Sequence, residues 1–236
     1  MALPYFFVAD LQPNVLTLDE DTSKHVVGVL RMTKGEELML TDGKGLKARA
    51  SITDDNRKRC TVRISDRLTE PEPARRTAIA ISLVKNASRF EWFLEKSTEL
   101  GITEILPIIC ERTEREKFRS ERLEGILISA LLQSQQSRMP RLHPPTDFRD
   151  ILNRPFHQRF IAHCLPEQRI PLATAIDPQA PSQLVLIGPE GDFTPREISE
   201  ALESGFCAVT LGNTRLRTET AGMTAAVLLS AGQAQK

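Results

Sequence analysis

Hydrophobic and polar positions alternate over short stretches in the first 70 residues and follow a longer period thereafter. Phe6-Phe7-Val8, Glu37 to Leu40, Ala48 to Ile52 and Cys60 to Ile64 read as short strands. Asp42-Gly43 and Asp54-Asp55-Asn56 are turn signals between them. Asp21 to Leu30 predicts one short helix, with Val26, Val27 and Leu30 on one face. This spacing suits a small β-barrel. Glu70-Pro71-Glu72-Pro73-Ala74-Arg75-Arg76 then breaks the pattern, because its prolines cannot join a central strand and its charges require water. The expected division is therefore residues 1–72 and 73–236.

Beyond the break, apolar strands alternate with amphipathic helices. Ala78 to Val84 is a continuous apolar run, as in a strand buried on both faces. Arg89 to Leu100 predicts a helix facing inward through Phe90, Phe93, Leu94 and Ser97, with Gly101 as its stop. Ile102 to Cys110 is the next strand. Ser120 to Ser137 is a helix with the stripe Leu123, Ile126, Leu127, Ala130, Leu131 and Ser134. Arg159 to Cys164, Leu184 to Ile187 and Phe206 to Leu211 are further strands. Thr194-Pro195-Arg196-Glu197 is a capping box opening a helix that ends at Gly205, and a small-residue helix runs from about Thr220 to Gln233. Such alternation predicts an α/β fold with a mainly parallel sheet covered on both faces.

The 236 residues, 40% apolar and 26% charged, describe a soluble globular chain and exclude collagen-like or disordered classes. Lys plus Arg and Asp plus Glu both number 31, which at face value argues against a nucleic-acid binder. By region the balance is neutral to residue 70, +3 over 71–160 and −3 beyond. The middle segment holds Arg89, Arg112, Arg115, Arg119, Arg122, Arg138 and Arg141, so a local arginine-lined groove is compatible with neutrality. Cys60, Cys110, Cys164 and Cys207 are too dispersed for a zinc site or disulfide framework, so no metal is expected. His25, His143, His157 and His163 are scattered as well. No run approaches eighteen apolar residues and the start lacks a basic leader region, so a cytoplasmic location without membrane contact is expected.

In an open α/β sheet, ligands sit beyond the carboxyl ends of the strands, which singles out the segments after Ile187 and Leu211. Gly188-Pro189-Glu190-Gly191-Asp192-Phe193 has glycines that let backbone approach a ligand, and a helix N-terminus follows it. A tight strand-to-helix turn explains it equally well. Leu211-Gly212-Asn213-Thr214-Arg215-Leu216-Arg217-Thr218-Glu219-Thr220-Ala221-Gly222 places charges between a buried strand and a small-residue helix. These charges must be paired or face a ligand, and an internal contact from Arg217 to Glu219 is the simplest pairing. Ala221, Gly222, Ala225 and Ala226 suit close internal packing or a subunit interface. Dinucleotide, P-loop and hydrolase-elbow motifs are missing.

Together the two loops resemble the C-terminal signature of the SPOUT class of RNA methyltransferases, and specifically the RsmE family, which methylates N3 of a uridine in 16S ribosomal RNA. The likeness extends to Lys96-Ser97-Thr98-Glu99-Leu100-Gly101-Ile102-Thr103-Glu104-Ile105 with Pro107, and to Glu111-Arg112. In the first domain it covers His25-Val26-Val27-Gly28-Val29-Leu30-Arg31-Met32, Gly35 and Asp42-Gly43. The resemblance implies a PUA-like, RNA-binding β-barrel followed by a SPOUT domain with a C-terminal trefoil knot. It also implies S-adenosylmethionine (SAM) as cofactor, a homodimer, and 16S rRNA in the assembled small subunit as partner. Carried over by position, Ile187, Gly188, Pro189, Glu190 and Gly191 line one side of the cofactor, and Leu211, Gly212, Leu216, Arg217, Thr220 and Ala221 the other.

Uracil N3 carries a proton at neutral pH, so its methylation needs a base or positive groups beside O2 and O4. Glu190 and Arg217 are the catalytic candidates, and Arg31, Arg89, Arg112 and Gln133 the candidates for holding RNA. N3 lies on the pairing edge, so the uridine must be unpaired or flipped. Where Asp192 stands the family usually has a second glycine, and where Arg215 stands an apolar residue. The Leu132-Gln133-Ser134-Gln135-Gln136 segment lacks two charges usual there, and Asn86-Ala87-Ser88 is one residue short. A knotted enzyme for another RNA such as tRNA, or a non-catalytic ribosome-assembly factor, remains an alternative.

Overall fold

The computed structural model describes residues 3–114, 117–166 and 168–231. Two compact units emerge, the first from residues 1–72 with 128–139 and the second from 73–127 with 140–236.

In the first unit β1 (Tyr5–Phe7), β2 (Val15–Thr17), β3 (Glu37–Thr41), β4 (Leu46–Asp54) and β5 (Thr61–Thr69) form one sheet in the order β1-β3-β4-β5-β2. Only β1 and β3 run parallel. Period-two patterning decides the inner face: Ala48, Ala50 and Ile52 of β4 are buried with Leu38, Leu40 and Val62. The helix expected over Asp21 to Leu30 is instead a single α turn, α1 (Glu20–Ser23), continued by a π-helix over Lys24–Val29. Asp19 caps it by accepting the Thr22 amide at 2.8 Å, and the wide turn shows in the Leu30 amide donating to the His25 carbonyl at 2.9 Å. That widening leaves Val26 buried and Val29 exposed. The Asp42-Gly43 turn is held by Asp42 Oδ1, which accepts the Lys44 and Leu46 amides at 2.7 and 3.0 Å. Gly45 (φ +107°) lies against the Arg138 guanidinium, 2.3 Å from where a Cβ would stand. Arg138 donates there to the Lys44 and Glu70 carbonyls, both at 2.6 Å.

The second unit contains β6 (Arg76–Ser82), α2 (Ala87–Glu99), β7 (Glu104–Ile109), α3 (Ser120–Gln133), β8 (Arg141–Leu142), β9 (Thr146–Asp147) and α4 (Phe148–Leu152). There follow β10 (Gln158–Ala162), β11 (Ile170–Pro171), α5 (Leu172–Ala175), β12 (Ser182–Ile187), α6 (Pro195–Glu203), β13 (Cys207–Thr210) and α7 (Thr218–Ala231). Its strands are all parallel, in the order β11-β13-β10-β12-β6-β7-β8, with β9 also on β7. β12 is buried along its whole length, and so is β6 after Arg76, as strands covered on both faces require. α3 is shared, with residues up to Leu127 in this unit and Ile128 onward in the first.

Two helix ends differ from their sequence expectation. α3 stops at Gln133 rather than Ser137, because Gln135 adopts φ +55° and the Gln135 and Gln136 amides return to the Leu132 and Leu131 carbonyls. α7 begins two residues early, at Thr218, and Gln233 lies outside the described residues. α7 packs on α2, β6 and β12. Gly222 makes this possible: a Cβ there would lie 2.7 Å from Phe93 Cε2 and 2.9 Å from Ile81 Cδ1. Gly222, Ala225 and Ala226 are all buried in this packing.

Candidate active site

The two loops singled out in the sequence meet at the carboxyl ends of β10, β12 and β13. Between them lies a cavity of about 290 Å³, at the small end of ligand sites. Ala162, Ile187, Leu216 and Ala221 give it apolar wall, while Glu190, Asp192, Arg215, Arg217 and Thr218 give it polar rim.

The first loop is shaped by backbone. The Asp192 amide donates to the Pro189 carbonyl at 2.9 Å, closing a turn over Glu190 and Gly191. Gly188 admits Phe193, whose ring and amide lie 3.1 Å from where a Cβ would be. Phe193 is fully buried against Phe148, their centroids 5.5 Å apart. Thr194 and Glu197 form the expected capping box. Glu197 also accepts the Glu111 amide at 2.9 Å, fastening the segment after β7 to the start of α6.

Asp192 sits at φ +64°, the left-handed region that glycine enters most readily. Its carboxylate offsets the cost of that conformation: Oδ1 accepts the Phe193 amide and Oδ2 the Cys164 amide, both at 2.8 Å. The second contact ties the loop after β10 to the loop after β12 across one wall of the cavity.

In the second loop, Gly212 takes φ +145° and its carbonyl accepts the Thr210 hydroxyl at 2.7 Å. Arg217 caps α7, its carbonyl receiving the Ala221 amide at 2.8 Å. Thr218 and Glu219 are buried in the first turn, where a carboxylate is favoured by the helix dipole. The contact between Arg217 and Glu219 does not form. Glu219 pairs with Arg89 of α2 instead, at 3.5 Å, its other oxygen buried with no hydrogen-bond partner. Among the described residues the Arg217 guanidinium has no carboxylate partner.

The other expected site residues are distributed as follows. Ile187, Gly188, Pro189, Glu190, Leu216, Arg217 and Ala221 line the cavity; Gly191 and Gly212 line an adjoining one with Arg112 and Arg169. Leu211 and Thr220 lie on neither wall. Glu190 Oε1 accepts the Lys85 amide at 3.0 Å. Arg112 donates to the Gly191 carbonyl at 2.7 Å, so it braces the first loop. Arg31 (φ +57°) and Gln133, both exposed, belong to the first unit. Sequence reasoning missed Ala162, Cys164, Asp192, Arg215 and Thr218 as wall residues. Ala162 ends a strand, and that position was the available signal. Desolvation by its neighbours and the Asp192 charge push the thiol of exposed Cys164 up, so it stays protonated at neutral pH. Among the described residues no group of acidic, His or Cys side chains could hold a metal.

Residues 70–230 match the RNA methyltransferase domain family, and residues 18–65 match the RNA methyltransferase PUA domain family. A ribosomal RNA small subunit methyltransferase E from Synechocystis is 32% identical over 92% of this chain and 73% of its own. The chain belongs to the RsmE family of RNA methyltransferases. A probable rRNA-methyltransferase from Porphyromonas gingivalis superposes with a TM-score of 0.91 at 36% identity, covering 98% of this chain and 99% of the other. The ribosomal RNA small subunit methyltransferase E from Neisseria gonorrhoeae, bound to SAM, superposes at 0.86 with 30% identity and 98% coverage of both. The RsmE-type fold is thus a PUA-like sheet with a knotted SPOUT methyltransferase domain. After β13, one strand from the sheet edge, α7 returns to the central strands β12 and β6.

Proposed function

We propose that this chain transfers the methyl group of SAM to N3 of a uridine in 16S rRNA within the assembled small ribosomal subunit. The observation that carries the reading is the convergence of the two family loops on one cavity. Its walls offer apolar surface for an adenine and carboxylates for a sulfonium, and among the described residues no metal-binding cluster competes with that use. When bound there, SAM supplies an electrophilic methyl carbon. Ile187 to Gly191 hold it on one side. Leu211, Gly212, Leu216, Arg217, Thr220 and Ala221 hold it on the other, Leu216, Arg217 and Ala221 from the wall itself and Gly212 from the adjoining cavity.

The remaining chemistry is positioning and charge. Arg217, free of carboxylate partners, is aimed at the uracil oxygens, where its charge favours loss of the N3 proton. Glu190 Oε1 is committed to the Lys85 amide, leaving Oε2 to receive or orient that proton. Arg89, Arg112, Arg31 and Gln133 position RNA, Arg112 through the loop it braces. We further assign RNA binding to a PUA-like domain over residues 1–72 and catalysis to residues 73–236, in a cytoplasmic homodimer. No helix among the described residues is long and apolar enough to cross a membrane.

The test is methyl transfer from labelled SAM to small subunits lacking the modification, followed by primer extension. A new extension stop beside one 16S uridine is expected, because N3 methylation blocks pairing. Label without a stop, or a stop in tRNA only, would overturn the assignment.

A further inference from the structure

Next to the cofactor cavity the same unit carries a second concavity of about 210 Å³ that the chemistry above does not use. Its floor is apolar, from Leu83, Val84, Phe90 and Leu123, and its rim is basic, from Lys117, Arg119 and Arg122. Glu91 holds Arg122 through two bonds of 2.6 and 2.9 Å, leaving that charge neutralised. Lys117 and Arg119 are exposed, and neither side chain has a hydrogen-bond or ion-pair partner among the described residues.

A shallow depression lined by Lys85, Asn86, Ala87, Arg89 and Glu190 joins the two cavities. It shares Glu190 with the cofactor cavity and Ala87 with the second concavity. An apolar floor alone would suit any hydrophobic group, and loose cations alone any anion. The combination, placed one step from the methyl-transfer site, suits a nucleotide, with a flat apolar base and an adjoining phosphate.

We propose that this concavity seats a nucleotide flanking the methylated uridine in single-stranded form, base on the apolar floor and phosphate on Lys117 and Arg119. The proposal rests on the RNA-methyltransferase reading.

Two full-length variants test it: the charge reversal Lys117→Glu with Arg119→Glu, and Ser88→Trp, which fills the concavity from its edge. Initial rates on unmodified small subunits are measured between 50 and 200 mM salt, with SAM affinity by calorimetry and melting curves as folding control. For the charge variant a KM for subunits raised about tenfold or more is expected, with kcat and SAM affinity unchanged. Its plot of log KM against log salt should be shallower by roughly 1.4, from about 0.7 per lost single-strand phosphate contact. Ser88→Trp should raise KM at an unchanged salt slope. A wild-type KM in either variant, or a charge variant with the wild-type slope, overturns the proposal. If the wild type itself methylates nothing, the functional reading falls and the site is tested alone with a fluorescent oligouridine decamer. Equal decamer affinity in wild type and variants, or no binding by any, then overturns the nucleotide site too.

Discussion

Gly222 and Gly125 offer the same substitution in two helices of one unit with opposite outcomes. At Gly222 an added methyl would stand 2.7 Å from Phe93 Cε2, 2.9 Å from Phe93 Cδ2 and 2.9 Å from Ile81 Cδ1. Both neighbours are fully buried and have no free side to retreat into. Overpacking costs about 1–3 kcal/mol, and two fully buried neighbours that an added Cβ would meet at under 3 Å put it in the upper part, about 2–3 kcal/mol; the better helix propensity of alanine returns about 1 kcal/mol. Gly222→Ala is therefore expected to lose about 1–2 kcal/mol net. At about 2–4 °C per kcal/mol this lowers the melting temperature by roughly 2–8 °C. Gly125 is exposed on α3 with nothing within 4 Å of an added Cβ, so Gly125→Ala should gain about 1 kcal/mol and melt roughly 2–4 °C higher. Calorimetry on the intact chain reads both. SAM titration separates them again: the first turn of α7 lines the cavity proposed for the cofactor, so only Gly222→Ala should weaken binding. A Gly222→Ala protein as stable as wild type, with unchanged SAM affinity, would refute the claim that this contact sets the position of α7.

Asp192→Ala keeps a strained left-handed position while removing both hydrogen bonds that offset it. It should weaken SAM binding severalfold, and Asp192→Gly less so, because glycine relieves the strain; equal affinities by calorimetry would argue against the clasp to Cys164. Arg217→Lys and Arg217→Ala should lower kcat on small subunits by about tenfold or more with little change in SAM affinity, a loss in SAM affinity alone pointing to a loop-bracing role instead. Glu219→Ala should destabilise by about 1–2 kcal/mol in urea unfolding, below the figure for a fully buried pair because Arg89 is 37% exposed. Acid should destabilise the second unit through Glu104, Arg76 and His143. Burial opposes the Glu104 charge, but Arg76 and then His143 outweigh it and hold the carboxyl below its usual range. Burial likewise holds His143 below its usual range against the pull of Glu104. Both groups bind protons more weakly when folded, so stability is present at neutral pH and falls as pH drops below about 6.5 and on through the carboxylate range. In Glu104→Gln, unfolding midpoints should vary less with pH through the carboxylate range; an unchanged profile there would remove this network from the cause.

Long elements were legible because their period survives any context. β6, β12, α2 and α6 lie within two residues of where apolar runs, caps and glycines put them. The two-residue strands β8, β9 and β11 carry too few positions to show a period, and β2 is largely exposed. At the site, backbone and glycine positions were readable and side-chain partners were not. Glu219 is two residues from Arg217 in sequence, yet its partner, Arg89, comes from a helix more than a hundred residues earlier. Arg112 shows the same gap: its charge suggested a ligand, and its geometry serves the Gly191 carbonyl. The end of α3 and the residues after it, Ile128 to Met139, group with the first unit, which no linear reading of the Pro-rich break at 70–76 can reveal.

The strand order also dictates when the molecule can become complete during synthesis. β10 has β12 on one side and β13 on the other, and both are made after it. A nascent chain that ends before Ser182 thus holds both strands of the β6–β7 pair but neither neighbour of β10. β12 is the keystone that joins the early half of the sheet to the late half. The walls proposed for the cofactor, drawn from residues 162–221, come into being only after that junction closes, so SAM can bind there and stabilise the fold only once Ala221 has been made.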